Sequence, residues 1–256
     1  MVTVRIAVLG LGEAGSAIAR DLVAAGADVV GYDPLPISVA GVEPRSSEAE
    51  AVADADVVLS VNSSHDALPA LVNALPGLQR GTVWADLNTS APGLKVLLAE
   101  RAAEREVPVV DVALMSPVPG KGLRTPMLVS GPAAERYAEL LVPLGADVVV
   151  QAGEVGAAIS RKLLRSVFYK GLAAAVVEAM AGAEAAGCAG WLRENIGAEL
   201  AGFDERAVDR LLDGSRQHAR RRADEMNAAT EQLHELGVPA RIAPASRDWL
   251  IQLRDA

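Results

Sequence analysis

The chain has 256 residues, of which 51% are hydrophobic, 22% charged and only 3% aromatic, and its formal net charge is −9. This length makes one large domain or two smaller ones, with a core assembled from Ala, Val, Leu and Ile. The acidic balance argues against a nucleic-acid partner, which requires a basic surface for its phosphates.

In chain order, the first half alternates strand and helix. VTVRIAVLG, residues 2–10, is a β-branched run ending in glycine. EAGSAIARDLVAAG follows with helical periodicity and a glycine stop, and DVVGYD reads as a second strand. DVVLSV, GTVWADL, VPVVDVAL, PMLVSG and ADVVVQ are further strand candidates, most of them separated by helical segments. Apolar strands alternating with helices predict a doubly wound, mostly parallel α/β sheet covered on both faces. After Gln151 the strand signals stop. A helix from near Glu154 to about Gly187 is expected to join this part to a helical remainder, with further helices around 190–200, 204–212, 215–236 and 244–255. The expected domains are 1–152 and 153–256.

VLGLGEAG places Gly10, Gly12 and Gly15 in the G-x-G-x-x-G spacing, with Glu13 and Ala14 inside the same turn. A strand precedes it, a helix opens on it, and Asp33 ends the next strand. Gly10 permits the tight turn, Gly12 lets backbone approach a pyrophosphate, and Gly15 brings helix and sheet together. The helix N-terminus then presents N–H groups to the phosphates. Asp33 suits a ribose 2′-hydroxyl and would repel a 2′-phosphate, and no Arg or Lys follows before Arg45. NAD is therefore expected in preference to NADP.

Four ordered motifs, GLGEAG, DLNTSAP (86–92), DVALMSPVPG (111–120) and GEVGAAISRK (153–162), give the chain a resemblance to the β-hydroxyacid dehydrogenases. That family includes 3-hydroxyisobutyrate and 6-phosphogluconate dehydrogenases. The short C-terminal half most resembles its phosphogluconate dehydrogenase-like branch. The resemblance implies a Rossmann domain followed by an all-α domain, and transfer of hydride between a nicotinamide and a small hydroxy acid or its carbonyl form. It also implies roles: Asn62 and Thr89 beside the nicotinamide, the Ser116–Pro117 loop beside the substrate, and Lys162 as the catalytic lysine. Two positions depart from the family pattern. Its serine-glycine-glycine becomes Met115-Ser116-Pro117, and its asparagine four residues after the lysine becomes Ser166.

Helical spacing puts Lys162, Arg165, Ser166 and Tyr169 on one polar stripe, with Leu163, Leu164, Val167 and Phe168 beside or behind it. Such a stripe fits a ligand cleft between domains or, read without the family, a solvated helix flank. A lysine can exchange the substrate proton if burial and neighbouring cations, here Arg161 and Arg165, lower its pKa. Arg165, Lys121 and Arg124 suit a small anionic substrate, although Lys121 and Arg124 read equally well as solvated loop charges. An imine reductase and a non-catalytic dinucleotide-binding regulator are the competing readings.

Cys188 is the single cysteine, so neither a disulfide framework nor a cysteine-rich metal site is expected. Its place in AGAEAAGCAG predicts a buried thiol. His65, His218 and His234 lack metal-ligand spacing, and no metal is expected. No leader and no apolar run of about 18 residues is apparent, which points to the cytoplasm. The small-residue run AAAVVEAMAGAEAAG predicts a homodimer through the C-terminal helices. RQHARRRADEM reads as a solvated helix face, with His218, Arg220 and Arg221 reaching a partner subunit's site as the alternative.

Overall fold

The computed structural model describes residues 4–255, so Val2 and Thr3 of the first expected strand lie outside the described residues. Contacts divide the chain between Arg165 and Ser166, inside a long helix and beyond the boundary anticipated at 152.

The first unit is built on an eight-stranded sheet. Its strands are β1 (Arg5–Leu9), β2 (Asp28–Tyr32), β3 (Glu43–Pro44), β4 (Val57–Ser60), β5 (Val83–Asp86), β6 (Val109–Leu114), β7 (Met127–Ser130) and β8 (Val148–Val150), in the spatial order β3-β2-β1-β4-β5-β6-β7-β8. Every pairing is parallel except β6 with β7. The two-residue strand β3 was not legible as a strand; it carries a proline, which is tolerated at a sheet edge. The helices of this unit are α1 (Glu13–Ala24), α2 (Glu48–Val52), α3 (Ala67–Ala74), α4 (Pro92–Ala103) and α5 (Ala134–Leu141). Two apolar clusters cover the two faces of the sheet. Ile6, Val8, Ile18 and Leu22 belong to one, and Ala7, Leu9, Leu71 and Trp84 to the other. Alternate residues of β1 thus point to opposite clusters, as the period-2 pleat requires. Burial on both faces is why the central strands read as continuous apolar runs.

Helix α6, Ala157–Ala185, starts in the first unit and continues into the second, where α7 (Ala189–Ala201), α8 (Ala207–Gln217), α9 (Ala219–Glu235) and α10 (Ile242–Asp255) follow. The second unit buries few side chains, chiefly Ala183, Ala207, Ala219, Ala223 and Ala243. Trp191 and Trp249 remain 66% and 67% exposed. Two sequence readings are corrected here. Cys188 is exposed, because it lies at the Gly187 turn where α6 has ended, outside any packed helix face. Leu164 and Val167, beside the polar stripe, are 69% and 73% exposed. Lastly, α6 holds an 18-residue window of mean hydropathy 1.2, long and apolar enough by composition to cross a membrane, and only 11% of it is buried. Its apolar residues, chiefly alanine, leucine and valine, are interrupted by charges, so the sequence shows no unbroken apolar run.

Glu178, within α6, accepts from the backbone N–H groups of Arg241, of Ile242 at 2.8 Å and of Ala243 at 2.8 Å. These are N–H groups at the start of α10 that have no intrahelical partner. Burial pushes the Glu178 carboxyl up, but the three N–H donors and Arg241 outweigh it, and the group is held below its ordinary value. A depressed folded pKa contributes stability above the unfolded carboxylate range and loses it as pH falls through the folded value. Glu178→Ala should therefore cost about 1–2 kcal/mol at pH 7, the scale of a lost N-terminal cap. In thermal unfolding followed by circular dichroism, the gap between wild type and variant should close as the pH is lowered below about 4.

Candidate active site

The turn between β1 and α1 is dictated by its glycines. Gly10 has φ +90°, and its N–H donates to the Tyr32 carbonyl at 2.9 Å. A Cβ on Gly15 would stand 1.8 Å from the Gly10 carbonyl oxygen, so α1 can pack on this turn only with glycine there. Gly12 differs: it caps α1 with no side-chain hydrogen bond, and a Cβ on it would meet nothing within 4 Å. Backbone N–H groups at the start of α1 therefore face open space, as close approach of a pyrophosphate requires.

That space is a cavity of about 620 Å³, lined by Gly10, Gly12, Glu13, Ala14, Asp33 and Asn62 among others. Asp33 is fixed on both oxygens, Oδ2 accepting from Leu11 N–H at 2.7 Å and Oδ1 from Leu35 N–H at 2.9 Å. Each carboxylate oxygen keeps further acceptor capacity, which fits a ribose hydroxyl. Glu48 and Asp66 also line the cavity, two acidic residues that sequence reading had not associated with it. The residues present fit a nicotinamide dinucleotide.

Next to this cavity the ends of β4 and β5 carry a hydrogen-bonded set. Asn62 Nδ2 and Asn88 Nδ2 both donate to Ser60 Oγ, at 3.1 and 3.0 Å. Thr89 follows Asn88 and is exposed between two buried neighbours, Asn88 and Ser90. Lys162, half-buried on α6, donates from Nζ to Thr89 Oγ1 at 2.8 Å. Two residues 73 positions apart in sequence are thus brought together.

The loop after β6 gathers the other candidates in the first unit. Lys121 Nζ donates to Ser116 Oγ at 3.2 Å, and Arg165 Nη1 donates to the Met115 carbonyl at 3.1 Å. Pro117 is exposed beside them. Asp21 of α1 holds the far end of this loop by accepting from Leu123 N–H at 2.8 Å. Ser166 and Tyr169 lie beyond the division of the chain, in the second unit. His218 and Arg220 are exposed, and Arg221 pairs with Glu225 four residues along α9. No group of three or more His, Cys, Asp or Glu side chains suited to a metal occurs among the described residues. A second cavity of about 420 Å³ lies within the helical unit. Its lining is mostly alanine and leucine, with Cys188, Trp191, Met226, Gln232 and Ser246 among the rest, and its carboxylate, Glu178, is already engaged with α10.

Sequence reading missed one further set. Lys95 of α4 is fully buried between Asp86 and Asp111. The available signal was a lysine inside the apolar run GLKVLLA, together with an aspartate in each of two otherwise apolar strands.

A strand, glycine turn and helix with a carboxylate at the end of the next strand define a nicotinamide dinucleotide-binding α/β protein. Residues 5–153 match the NAD binding domain of 6-phosphogluconate dehydrogenase, and residues 183–253 match a domain of unknown function, DUF1932. The chain belongs to the β-hydroxyacid dehydrogenase family. It is similar to 2-(hydroxymethyl)glutarate dehydrogenase of Eubacterium barkeri, 24% identical over 191 residues that cover 70% of this chain. It spans 63% of that relative's length. A conserved hypothetical protein from Sinorhizobium meliloti 1021 is 32% identical, with 98% of this chain and 88% of that one covered and a TM-score of 0.65. The imine reductase of Streptomyces aurantiacus shares the fold at 20% identity, with 97% and 93% covered and a TM-score of 0.78.

The two glycines should behave oppositely. Gly12→Ala should fold with a loss under about 1 kcal/mol, yet weaken NADH binding about tenfold or more, a cost of at least ~1.4 kcal/mol in affinity. Gly15→Ala should lose thermal stability itself, since its Cβ meets backbone. Melting curves paired with NADH fluorescence titration separate the two outcomes.

Proposed function

We propose that this protein is an NAD-dependent oxidoreductase that moves hydride between nicotinamide and a small anionic hydroxy acid or its carbonyl form, with Lys162 as general acid and base. The observation that carries this reading is the 2.8 Å contact of Lys162 Nζ with Thr89 Oγ1. Thr89 adjoins Asn88, which shares Ser60 with the cavity-lining Asn62.

Gly10, Gly12, Glu13, Ala14, Gly15 and Asp33 would hold the dinucleotide, and Asn62 and Thr89 would adjoin its nicotinamide. The bound nicotinamide supplies the two-electron hydride chemistry. The chain's own task is then the proton and the substrate's charge. In oxidation, Lys162 Nζ takes the proton that leaves the hydroxyl oxygen as that oxygen becomes a carbonyl; in reduction, the ammonium returns it. Ser116 and Lys121, with Arg165 on the Met115 carbonyl, offer a polar, cationic setting for a carboxylate. Ser166 is assigned an orienting role.

NAD is preferred to NADP because Asp33, Glu48 and Asp66 line one cavity, where a 2′-phosphate would meet like charge. An imine reductase ranks second. It is supported by likeness of fold, but Arg161, Lys162 and Arg165 would disfavour an iminium. The exposed apolar side chains of the second unit support a homodimer through the C-terminal helices, and the dehydrogenase fold is consistent with work in the cytoplasm.

In a turnover screen over small semialdehydes, keto acids, sugar acids and imines, a carboxylate-bearing carbonyl should oxidise NADH. NADH binding without turnover on any of them would favour a regulator. Lys162→Ala should lose about 10²- to 10⁴-fold in kcat with NADH affinity nearly unchanged. Lys162→Arg should not rescue it, because a guanidinium stays protonated, and Ser166→Ala should cost less. Turnover by Lys162→Ala within a few-fold of wild type would make the lysine structural. Asp33→Ser with Pro34→Arg should narrow or reverse the preference for NADH over NADPH in fluorescence titration. Tighter NADPH binding by the wild type would refute the carboxylate argument. Light scattering should find a dimer at micromolar concentration.

A further inference from the structure

Asp86 and Asp111 are register partners on adjacent parallel strands β5 and β6, and both are fully buried. Two carboxylates side by side in a dry sheet repel each other, and a buried charge without a partner costs several kcal/mol or so. Lys95 Nζ answers both: it lies 2.6 Å from Asp86 Oδ2, 3.2 Å from Asp111 Oδ1 and 2.8 Å from the Asp86 carbonyl oxygen. The carbonyl contact is a hydrogen bond and the two carboxylate contacts are ion pairs. The triad also faces the start of α6. Asp111 Oδ2 accepts from Ile159 N–H at 2.8 Å, and Ser130, its register partner on β7, accepts from Ala158 N–H at 2.9 Å. Negative charge is favourable at a helix N-terminus.

A buried ion triad is a weak device for stability, since apolar replacements of the same volume often serve as well or better. What this triad specifies is location. On one side Asp86, also held by Asn88 Nδ2, leads in three residues to Thr89. On the other, Asp111 holds Ile159, three residues before Lys162 on the same helix. The 2.8 Å contact between Lys162 and Thr89 closes this circuit. We propose that Lys95 is a positioning residue, clamping the Thr89 loop and the first turn of α6 to each other so that Lys162 is held on Thr89. The proposal rests on the reading of Lys162 as the proton-transfer group.

The test uses the full chain with Lys95→Met. If that variant fails to fold, Lys95→Met/Asp86→Asn takes its place, because it removes the repulsion between the carboxylates. Hydrogen exchange read by mass spectrometry should speed up about tenfold or more in peptides covering 86–92 and 153–165, while peptides of β1 stay protected. With 2-(hydroxymethyl)glutarate and NAD, or the best acid from the screen, kcat should fall about 10- to 100-fold, as expected for a misplaced catalytic group. NADH affinity should stay within about twofold, well under the ~1.4 kcal/mol of a tenfold change. Combining Lys95→Met with Lys162→Ala should be no slower than Lys162→Ala alone, the non-additivity of residues acting through one another. Unchanged exchange in the first turn of α6, or losses that multiply in the double variant, would overturn the clamp while leaving Lys162 as the acid–base group. A harmless Lys162→Ala would instead defeat the reading of Lys162 and, with it, the positioning role, whatever the exchange shows.

Discussion

Two aspartates facing each other on neighbouring strands of a dry sheet impose a constraint that the rest of the candidate site obeys. Asp86 and Asp111 need a cation between them, and Lys95 reaches them from α4 with no exposure to solvent. Once that cation is in place, the end of β5, the middle of β6 and the start of α6 are no longer independent. The loop bearing Thr89 and the helix bearing Lys162 then meet at hydrogen-bond distance. Interiors of low dielectric make such polar sets costly when incomplete and rigid when satisfied, which is the property a proton-transfer group requires of its support.

The dinucleotide end of the site depends on backbone geometry instead. Gly15 is demanded by its contact with the Gly10 carbonyl, whereas Gly12 is demanded by nothing inside the fold. A glycine that no packing explains, at an uncapped helix start beside a cavity, is best explained by a ligand that comes close. The helical unit obeys a third constraint. It buries mostly alanine and exposes both of its tryptophans, so its own interior supplies little of the hydrophobic burial that stabilises a domain.

The alternation of apolar strands with periodic helices made the doubly wound sheet legible, because burial on both faces leaves a strong sequence pattern. The glycine turn and Asp33 were legible for the same kind of reason: each is a local requirement expressed within one βαβ unit. The edge strand at Glu43–Pro44 was not, since two residues carry no periodicity. Lys95 was passed over because a lysine in a helix ordinarily faces solvent, and its partners are distant in sequence. Cys188 was misjudged from helical surroundings, because α6 ends at Ala185 and the chain turns at Gly187 just before the thiol. The pairing of Lys162 with Thr89 could be expected only through family resemblance. Nothing in either segment alone announces a contact across 73 positions.

A crystal structure of the protein with NADH bound would show whether these elements form one site. The pyrophosphate should lie over Gly12, with the Asp33 carboxylate within about 3 Å of the adenosine ribose hydroxyls. The nicotinamide should lie beside Thr89, with Lys162 still on that hydroxyl and Lys95 between its two aspartates. A nicotinamide seated away from Thr89, or a Lys162 turned from it while the Lys95 contacts persist, would rule this arrangement out.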